Sequence, residues 1–249
     1  MRLDRITAGY GKNVIISGVD AVIEKGEIIS LIGPNGGGKS TLLRTISGNI
    51  RALGGTAFIG EDDIKNIPLK DLSKRLSIVT TERVRPELMS CYDVVMAGRL
   101  PYATGFGFFS KADREAADRA VSLMGITELK NKRFEVLSDG QKQRTLIARA
   151  VCQDPEYLIM DEPTSFLDIR YQMELMEVLR ELSSEGLTII MSLHEPALAL
   201  EISSRLILVE SDGKTSVCSP KEALEKGRIK ELYQLTDRMY EKVEKSLKG

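Results

Sequence analysis

Histidine, tryptophan and cysteine are scarce in this sequence, whose 249 residues include one histidine, no tryptophan and three cysteines. A single histidine excludes metal sites built from several histidines and leaves His194 as the only source of imidazole chemistry. Cys91, Cys152 and Cys218 are an odd number and lack CxxC spacing. We therefore expect reduced thiols rather than a disulfide framework or a zinc site.

Long hydrophobic runs and an excess of either charge are also missing. The longest stretches without a charged residue, 28–38 and 100–110, have 11 residues each and are too short to cross a bilayer. A net charge of −1 argues against a general polyanion binder, so no nucleic-acid partner is expected. The first residues, 1–5, lack an apolar signal core, which predicts a cytoplasmic location.

The order of the elements indicates an α/β protein. Short apolar runs at 3–7, 19–23 and 57–59 indicate N-terminal strands, whereas 27–32, 157–160 and 187–191 are apolar on both faces, as in strands buried within a sheet. One predicted helix covers about 39–48. A second, between the last two strands, should place five apolar residues on one face: Ile169, Met173, Met176, Leu179 and Leu182. We predict a parallel sheet with crossover helices.

The middle of the chain has a different, helical character. Patterns at 92–100, 110–124 and 138–152 predict helices, and Ser110 with Asp113 has the spacing of a capping box. We interpret 83–155 as a helical subdomain inserted into an α/β core formed by 1–82 and 156–218. A helical, charged tail at 219–249 completes a single domain over 1–249.

A glycine-rich loop with the pattern GxxxxGK[ST] follows the first buried strand. Its residues are Gly33, Pro34, Asn35, Gly36, Gly37, Gly38, Lys39, Ser40 and Thr41. Glycines let successive backbone N–H groups surround phosphate oxygens, and the following helix adds the positive end of its dipole. Lys39 supplies charge at the β- and γ-phosphates, and the Ser40 hydroxyl supplies a hard oxygen for Mg²⁺. The loop predicts a P-loop nucleoside triphosphatase.

Two adjacent carboxylates end the second buried strand. Asp161 is in a position to hold Mg²⁺, usually through water, and Glu162 follows at once. A carboxylate beside the metal at the end of a sheet strand is able to orient or deprotonate the attacking water. This pair makes hydrolysis the expected reaction.

A third motif opens the last helix of the predicted insert. Ser138 and Gln141 have capping-box spacing, and Gly140 removes a side chain where a ligand might approach. The result is a bare helix N-terminus able to receive an anion. The segment 137–141, LSDGQ, resembles the signature motif of ATP-binding-cassette (ABC) ATPases, usually LSGGQ.

The resemblance covers roughly residues 2–220, with the motifs in the order typical of that family. It implies a RecA-like P-loop core with N-terminal antiparallel strands, ATP as nucleotide and Mg²⁺ as metal. In this resemblance 33–41 is the Walker A motif, 158–161 the Walker B motif and 165–168 the D-loop. Tyr10 corresponds to the aromatic on adenine, Glu162 to the catalytic glutamate and His194 to the switch histidine at the γ-phosphate. Nucleotide contacts are also implied for Ser138, Asp139, Gly140, Gln141 and Asp168.

Pairing of two copies is a further implication of the resemblance. In the family each ATP lies between the Walker A motif of one domain and the signature helix of the other, which an isologous dimer achieves with one chain type. ATP would close this head-to-tail dimer and phosphate loss would open it. The resemblance also implies an integral membrane permease, an extracytoplasmic substrate-binding protein as an indirect partner, and a peripheral location on the inner face of the bacterial cell membrane.

Two departures from the family pattern stand out. Where the family has a glutamine near the start of the insert, this chain has Thr81 and Glu82, either of which offers oxygen to a hard cation. Our hypothesis gives the metal-linked role to one of the two. Asp139 replaces a signature glycine; its carboxylate favours the helix dipole but adds negative charge near a triphosphate, so we expect it to point aside.

The segment from Tyr92 through Asp113 resembles the importer subgroup for iron–siderophore, haem and cobalamin complexes. There the insert docks on membrane-subunit helices, so the aromatic residues in 101–109 either form a docking surface or pack the core of the insert. We favour the ATPase subunit of a metal-chelate importer. The alternatives are a soluble ABC ATPase of translation or repair and an ABC exporter subunit.

Overall fold

The structure is a computed structural model that describes residues 1–81, 86–103 and 108–240. The chain divides into two compact units, the first formed by 1–66 with 190–249 and the second by 67–189. Within the described part of the chain, none of the helices has the length and apolar character needed to span a bilayer. The predicted boundaries of the helical insert, 83–155, stay a prediction.

Strands and helices alternate along most of the chain. The strands are β1 (Arg2–Tyr10), β2 (Asn13–Val22), β3 (Ile28–Ile32), β4 (Gly54–Ile59), β5 (Asp62–Asp63), β6 (Leu76–Val79), β7 (Tyr157–Asp161), β8 (Thr188–Ser192), β9 (Arg205–Val209) and β10 (Thr215–Cys218). The α-helices are α1 (Lys39–Ile46), α2 (Leu69–Arg75), α3 (Cys91–Met96), α4 (Lys111–Leu123), α5 (Asp139–Cys152), α6 (Ile169–Ser184), α7 (Pro196–Ile202), α8 (Pro220–Glu225) and α9 (Arg228–Leu232).

The first unit contains two groups of strands. One is an antiparallel sheet with the order β2-β1-β4-β5. In the other, with the order β10-β9-β3-β8, β3 runs parallel to β9 while β10 pairs antiparallel with β9. Every residue of β3 is buried, as predicted from its apolar composition. The N-terminal antiparallel strands and the parallel core expected from the sequence are thus confirmed.

The second unit combines β7 and β6 with the helices α2 to α6. The two strands are parallel, with Leu76 opposite Tyr157 and Val79 opposite Met160. β8 crosses the division between the units, since 188–189 belong to the second and 190–192 to the first. All residues of β7 and β8 are buried, which explains why neither strand shows an alternating pattern in the sequence.

Both predicted capping boxes are confirmed. The Ser110 side chain accepts from the Asp113 amide while the Asp113 side chain accepts from the Ser110 amide, and α4 begins at the next residue. Ser138 and Gln141 form the same reciprocal pair at the start of α5. Because a capping box needs only residues three positions apart, it can be predicted without tertiary information.

Two details of the helix predictions are wrong. The helix expected over 92–100 ends at Met96 and continues as a 3-10 helix, Ala97–Tyr102. Pro101 lacks an N–H donor, and the backbone of Gly98 packs so closely on Arg149 that an added Cβ would lie 2.2 Å from the Arg149 carbonyl oxygen.

The second error concerns the buried face of α6. Ile169 and Met173 were expected to face the core, but they are 78% and 40% exposed. The buried residues of this helix are Leu175, Met176, Leu179 and Leu182. Leu175 was not included in the predicted face. The buried face of α6 is therefore rotated about the helix axis, away from Ile169 and Met173 and toward Leu175.

The three cysteines are free and buried. Burial raises the pKa of the Cys152 thiol to about 11, so this group stays protonated at neutral pH. Burial also raises the pKa of Cys91 and of Cys218. The expectation of reduced thiols stays a prediction, and burial with a raised pKa gives none of the three the character of a reactive cysteine.

Candidate functional site

The predicted phosphate loop begins directly after β3. Gly33 has φ of +153°, and a Cβ added to it would lie 2.1 Å from the Val209 carbonyl oxygen at the end of β9. Only glycine fits this approach between neighbouring parallel strands. The loop is therefore anchored to the sheet at its first residue.

Lys39 is the first residue of α1 and is buried, with 5% of its surface exposed. Its Nζ donates to the carbonyl oxygens of Gly33 at 2.7 Å and Pro34 at 3.0 Å. A buried ammonium needs such partners, and here they come from the loop itself. Lys39 thus holds the loop curved, with Asn35 and Gly36 exposed to solvent at its tip.

The rest of the loop leads into α1. Gly37 N–H donates to the Pro34 carbonyl oxygen at 3.2 Å, and Gly38 precedes the helix in a left-handed conformation. Ser40 is half-buried and Thr41 is buried in the first turn. The N-terminal amides of α1 thus follow directly on the loop, which is the arrangement that binds anions.

Tyr10 lies at the tip of the β1–β2 hairpin and is 50% exposed. The same hairpin approaches the loop, because a Cβ on Gly38 would lie 2.5 Å from the Ile15 side chain. An exposed aromatic ring on a hairpin that packs against a phosphate loop fits the predicted role in stacking on adenine.

His194 follows β8 and is exposed. The preceding residue, Leu193, donates its amide to the Leu31 carbonyl oxygen at 3.1 Å, which fixes this segment beside the end of β3. His194 therefore follows a strand end beside β3, after which the phosphate loop begins, and its expected contact with the γ-phosphate stays a prediction.

In the second unit, Asp161 and Glu162 occupy the end of β7. Asp161 is 3% exposed, whereas Glu162 is half-buried and has φ of +50°. The left-handed conformation is costly for a residue with a side chain and is concentrated at functional sites. Ser165 donates from its hydroxyl to Glu162 Oε2 at 3.2 Å, so the carboxylate is held by the segment that follows it.

The predicted D-loop, 165–168, leads into α6. Asp168 is the N-cap of that helix and accepts from the Tyr171 amide at 3.1 Å. Phe166 has φ of +73° and is 58% exposed. The structure thus gives Asp168 a capping role, and its expected contact with nucleotide stays a prediction.

The signature motif forms the first turn of α5. The side chains of Ser138 and Gln141 engage each other's backbone amides, at 3.3 Å and 3.1 Å. Asp139 is exposed in the first helical position, where its charge complements the helix dipole. These contacts leave Ser138 and Asp139 at an exposed helix N-terminus.

The presence of glycine at position 140 has a structural explanation that was not evident from the sequence. A Cβ on this residue would lie 3.0 Å from the Phe166 carbonyl oxygen, so the D-loop backbone passes where a side chain would stand. The glycine was predicted to clear space for a ligand. The structure adds that it brings the signature and D-loop segments together within the second unit.

Thr81 and Glu82 are the two candidates for the metal-linked role that a glutamine has in the family. Of these two, only Thr81 lies among the described residues. Thr81 is exposed in a bend just after β6. Since Val79 pairs with Met160, the segment after β6 emerges level with Asp161 and Glu162. Glu82 lies outside the described residues, so the choice between Thr81 and Glu82 stays open.

The aromatic segment after α3 is anchored at both ends. Arg99 donates from Nε to Asp113 Oδ1 at 2.9 Å, and both side chains are nearly buried. The Ser110 hydroxyl and the Arg99 guanidinium hold the pKa of Asp113 below its ordinary value. Tyr102 stacks on Arg99 at 3.9 Å, while Leu100 and Phe108 are 61% and 72% exposed. Phe106 lies outside the described residues.

A family profile described as ABC transporter matches residues 16–165. The chain belongs to this family. An uncharacterised ABC transporter ATP-binding protein of Methanocaldococcus jannaschii is 37% identical over 98% of this chain and 84% of the relative. The iron(3+)-hydroxamate import ATP-binding protein FhuC of Bacillus subtilis is 33% identical over 93% of this chain and 87% of its own length.

Solved structures of ABC proteins share this fold. A metal-chelate type ABC transporter in an inward-facing conformation superposes with a TM-score of 0.79 at 25% identity, covering 93% of this chain and 87% of the other. A dimeric ATP-binding cassette in a post-hydrolysis state, bound to ADP and Pi, gives a TM-score of 0.76 at 25% identity over 88% and 98%. The predicted P-loop α/β fold and the family resemblance are confirmed.

Proposed function

We propose that this chain is the ATP-hydrolysing subunit of an ABC importer that moves ferric chelates of the siderophore type through a separate membrane permease. The single observation that carries this proposal is the 33% identity over 93% of the chain to an iron(3+)-hydroxamate import ATP-binding protein. The segment with the exposed residues Leu100 and Phe108 supports the proposal as well, because ATP hydrolysis itself does not require it.

The chain is an ATP hydrolase of the ABC type. We assign the phosphates to the backbone amides of 33–41 and to Lys39, and the adenine to Tyr10. Because the Lys39 ammonium already lies against two loop carbonyls, it needs only to shift its hydrogen bonds toward an incoming phosphate. The loop is thus preorganised for a triphosphate before the nucleotide arrives.

Glu162 is the proposed general base for the attacking water, and His194 the proposed contact of the γ-phosphate. The Ser165 hydroxyl donates to the Glu162 carboxylate and so orients it. His194 is exposed directly after a buried strand, which suits a residue that contacts the nucleotide. Phosphoryl transfer needs mainly positioning and charge stabilisation, so a well-oriented base and a hydrogen-bond donor at the γ-phosphate contribute most.

The residues present fit Mg²⁺ as a cofactor of ATP. Within the described residues no group of three His, Cys, Asp or Glu side chains is gathered to hold a metal. Mg²⁺ retains waters and takes phosphate oxygens together with one or two protein oxygens. The Ser40 hydroxyl and the Asp161 carboxylate are the proposed oxygen donors. When bound, Mg²⁺ would neutralise charge on the phosphates.

The proposed working form is an isologous dimer. Each ATP would lie between the phosphate loop of one copy and the signature turn, Ser138 to Gln141, of the other. A similar ATP-binding cassette is dimeric with ADP and Pi bound. We place the dimer on the inner face of the cell membrane, with a permease as direct partner and a substrate-binding protein as indirect partner.

The proposed permease contacts are the apolar side chains of Leu100 and Phe108, each of which is exposed. The Arg99–Asp113 ion pair connects the residue before Leu100 to the first turn of α4. Two large apolar side chains that are exposed in the same segment match an interface better than an internal core.

Replacing Leu100 and Phe108 together with serine should leave the basal ATPase rate unchanged and lower the permease-stimulated rate about tenfold. Loss of two buried apolar anchors at an interface costs about 1–3 kcal/mol or more, which is sufficient for that change. The measurement compares phosphate release by the variant with and without the reconstituted permease and a binding protein loaded with ferric hydroxamate.

Val22→Ser provides the matched control, because Val22 is 52% exposed on β2 of the first unit, whereas Leu100 and Phe108 belong to the second. It should change neither rate. Stimulation of the wild-type chain by ribosomes or nucleic acid, and not by the permease, would identify a soluble ABC ATPase instead. Stimulation by permease without any loaded binding protein would favour an exporter.

Separate Thr81→Ala and Glu82→Gln variants should differ in ATPase rate. We expect one of them to lose about tenfold in rate and to require more Mg²⁺ for half-maximal activity, since removing a ligand oxygen weakens the metal contact. A magnesium titration of phosphate release measures both effects. Normal rates and normal magnesium dependence in both variants would contradict the metal-linked role of this segment.

A further inference from the structure

Gln143 is a buried polar residue to which neither the sequence motif nor the proposed chemistry assigns a role. It lies on α5, one turn beyond the signature cap, and is 8% exposed. Its side-chain Nε2 donates to the carbonyl oxygen of Pro163 at 3.3 Å. Pro163 is itself buried and directly follows Glu162. This contact joins α5 to the peptide next to the proposed general base.

The segment that Gln143 reaches needs external support. Glu162 has φ of +50° and Phe166 has φ of +73°, so two residues of this segment adopt a conformation that is unfavourable for residues with side chains. Strained backbone persists only where neighbouring groups hold it. Gln143 supplies one supporting hydrogen bond, to the Pro163 carbonyl oxygen. Gln172 of α6 supplies two more, from Nε2 to the carbonyl oxygens of Thr164 at 3.4 Å and Leu167 at 3.3 Å.

We propose that Gln143 is a positioning residue for Glu162. Its amide fixes the Pro163 carbonyl and thereby the direction in which the Glu162 side chain leaves the backbone. The inference rests on the proposed function, because it takes Glu162 as the general base. Gln143 touches neither the nucleotide nor the water; it acts through the peptide that carries the carboxylate.

The position of Gln143 on α5 gives this contact a wider consequence. The same helix begins with the signature residues that we assign to the ATP held by the other copy. A movement of the α5 N-terminus on binding that ATP would pass through Gln143 and Pro163 to Glu162 of its own copy. Close contact of Gly140 with the Phe166 carbonyl oxygen adds a second point where α5 and this segment move together.

Gln143→Met tests the proposal, because methionine has similar length and volume but no N–H donor. We expect kcat for ATP hydrolysis to fall about ten- to a hundredfold, since small misplacement of a catalytic group has effects of this size. KM for ATP should stay within about twofold, because the residue is not assigned to nucleotide binding. Steady-state phosphate release measures both constants.

Gln153→Met is the matched control. Gln153 follows the same helix and donates its Nε2 to the carbonyl oxygens of Ser73 and Leu76 at 2.5 Å and 2.8 Å, away from Glu162. This variant loses partly buried amide-to-carbonyl hydrogen bonds, so its thermal stability should fall while kcat stays near the wild-type value. A fall in kcat equal to that of Gln143→Met would overturn the positioning role.

A second variant keeps the test decisive should Gln143→Met fold poorly. Gln143→Glu retains shape, and its carboxylate faces the Pro163 carbonyl without a donor. Protonation restores an O–H donor, so the ratio of its kcat to that of the wild type should rise as the pH falls through the titration of a buried carboxyl. A ratio independent of pH would contradict the proposed hydrogen bond.

The double variant separates this inference from the assignment of Glu162. In the Glu162→Gln background, Gln143→Met should cause less than a twofold further loss, because the two residues act through one group. Independent, multiplying losses would overturn the positioning role. If Glu162→Gln alone retains its turnover, the proposed base is wrong; if it loses turnover while Gln143→Met does not, only the positioning role is wrong.

Discussion

Glu162→Gln should lower kcat for ATP hydrolysis about a hundred- to ten-thousandfold, the usual contribution of a general base, while the chain still binds ATP. Glutamine keeps the size and the hydrogen-bonding oxygen but cannot accept the proton of the attacking water. The carboxylate stands at the end of β7, held by the Ser165 hydroxyl, so the replacement should not disturb the fold. With hydrolysis blocked, the ATP-bound dimer should accumulate.

Single-turnover hydrolysis, ATP binding and sedimentation in excess Mg²⁺-ATP measure these effects. Glu156→Gln is the control, because Glu156 lies just before the start of β7 and forms an exposed ion pair with Arg75 at 3.0 Å. It should behave as the wild type in all three assays. Turnover retained by Glu162→Gln would reject the general base, and a monomer in saturating ATP would reject the sandwich dimer.

Gly33→Ala should lower the free energy of unfolding by about 2–6 kcal/mol and abolish measurable ATP binding. The new Cβ would lie 2.1 Å from the Val209 carbonyl oxygen, so β3 and β9 would have to move apart or the loop would have to leave the sheet. Strained φ and overpacking each cost about 1–3 kcal/mol. The loss of binding follows because the Gly33 carbonyl is also a partner of Lys39.

Urea unfolding and nucleotide titration measure the two effects. Gly36→Ala serves as the control, since a Cβ at Gly36 meets no atom within 4 Å and Gly36 lies at the exposed tip of the loop. Its loss of stability should stay near 1 kcal/mol, the cost of the backbone conformation alone. Equal losses in the two variants would show that the Val209 contact is not the cause.

Local features were predictable because their physical basis spans only a few residues. Both capping boxes form between residues three positions apart, and the buried strands β3, β7 and β8 are apolar on both faces. The phosphate loop follows the first of these strands and precedes α1, as its pattern requires.

Features that depend on partners distant in the sequence were not predictable. The exposure of Ile169 and Met173 depends on what covers each side of α6, which the period of the helix does not specify. The close packing of Gly98 against Arg149, 51 positions away, lies just beyond the end of α3 and has no local signal, unlike Pro101. Gln143 carried a signal only as part of the segment after LSDGQ, and nothing local indicated its contact with Pro163.

The sequence by itself determined the class of protein and the chemical type of each motif residue, because phosphate binding, capping and strand burial follow from short patterns of residue types. Only the tertiary structure decided how those residues are held. Gly33 lies against Val209, Lys39 holds its own loop, and Gln143 supports the peptide beside Glu162. Gly33 and Val209, like Gln143 and Pro163, are far apart along the chain, which carries no information about their distance in space, so packing alone could establish these two contacts.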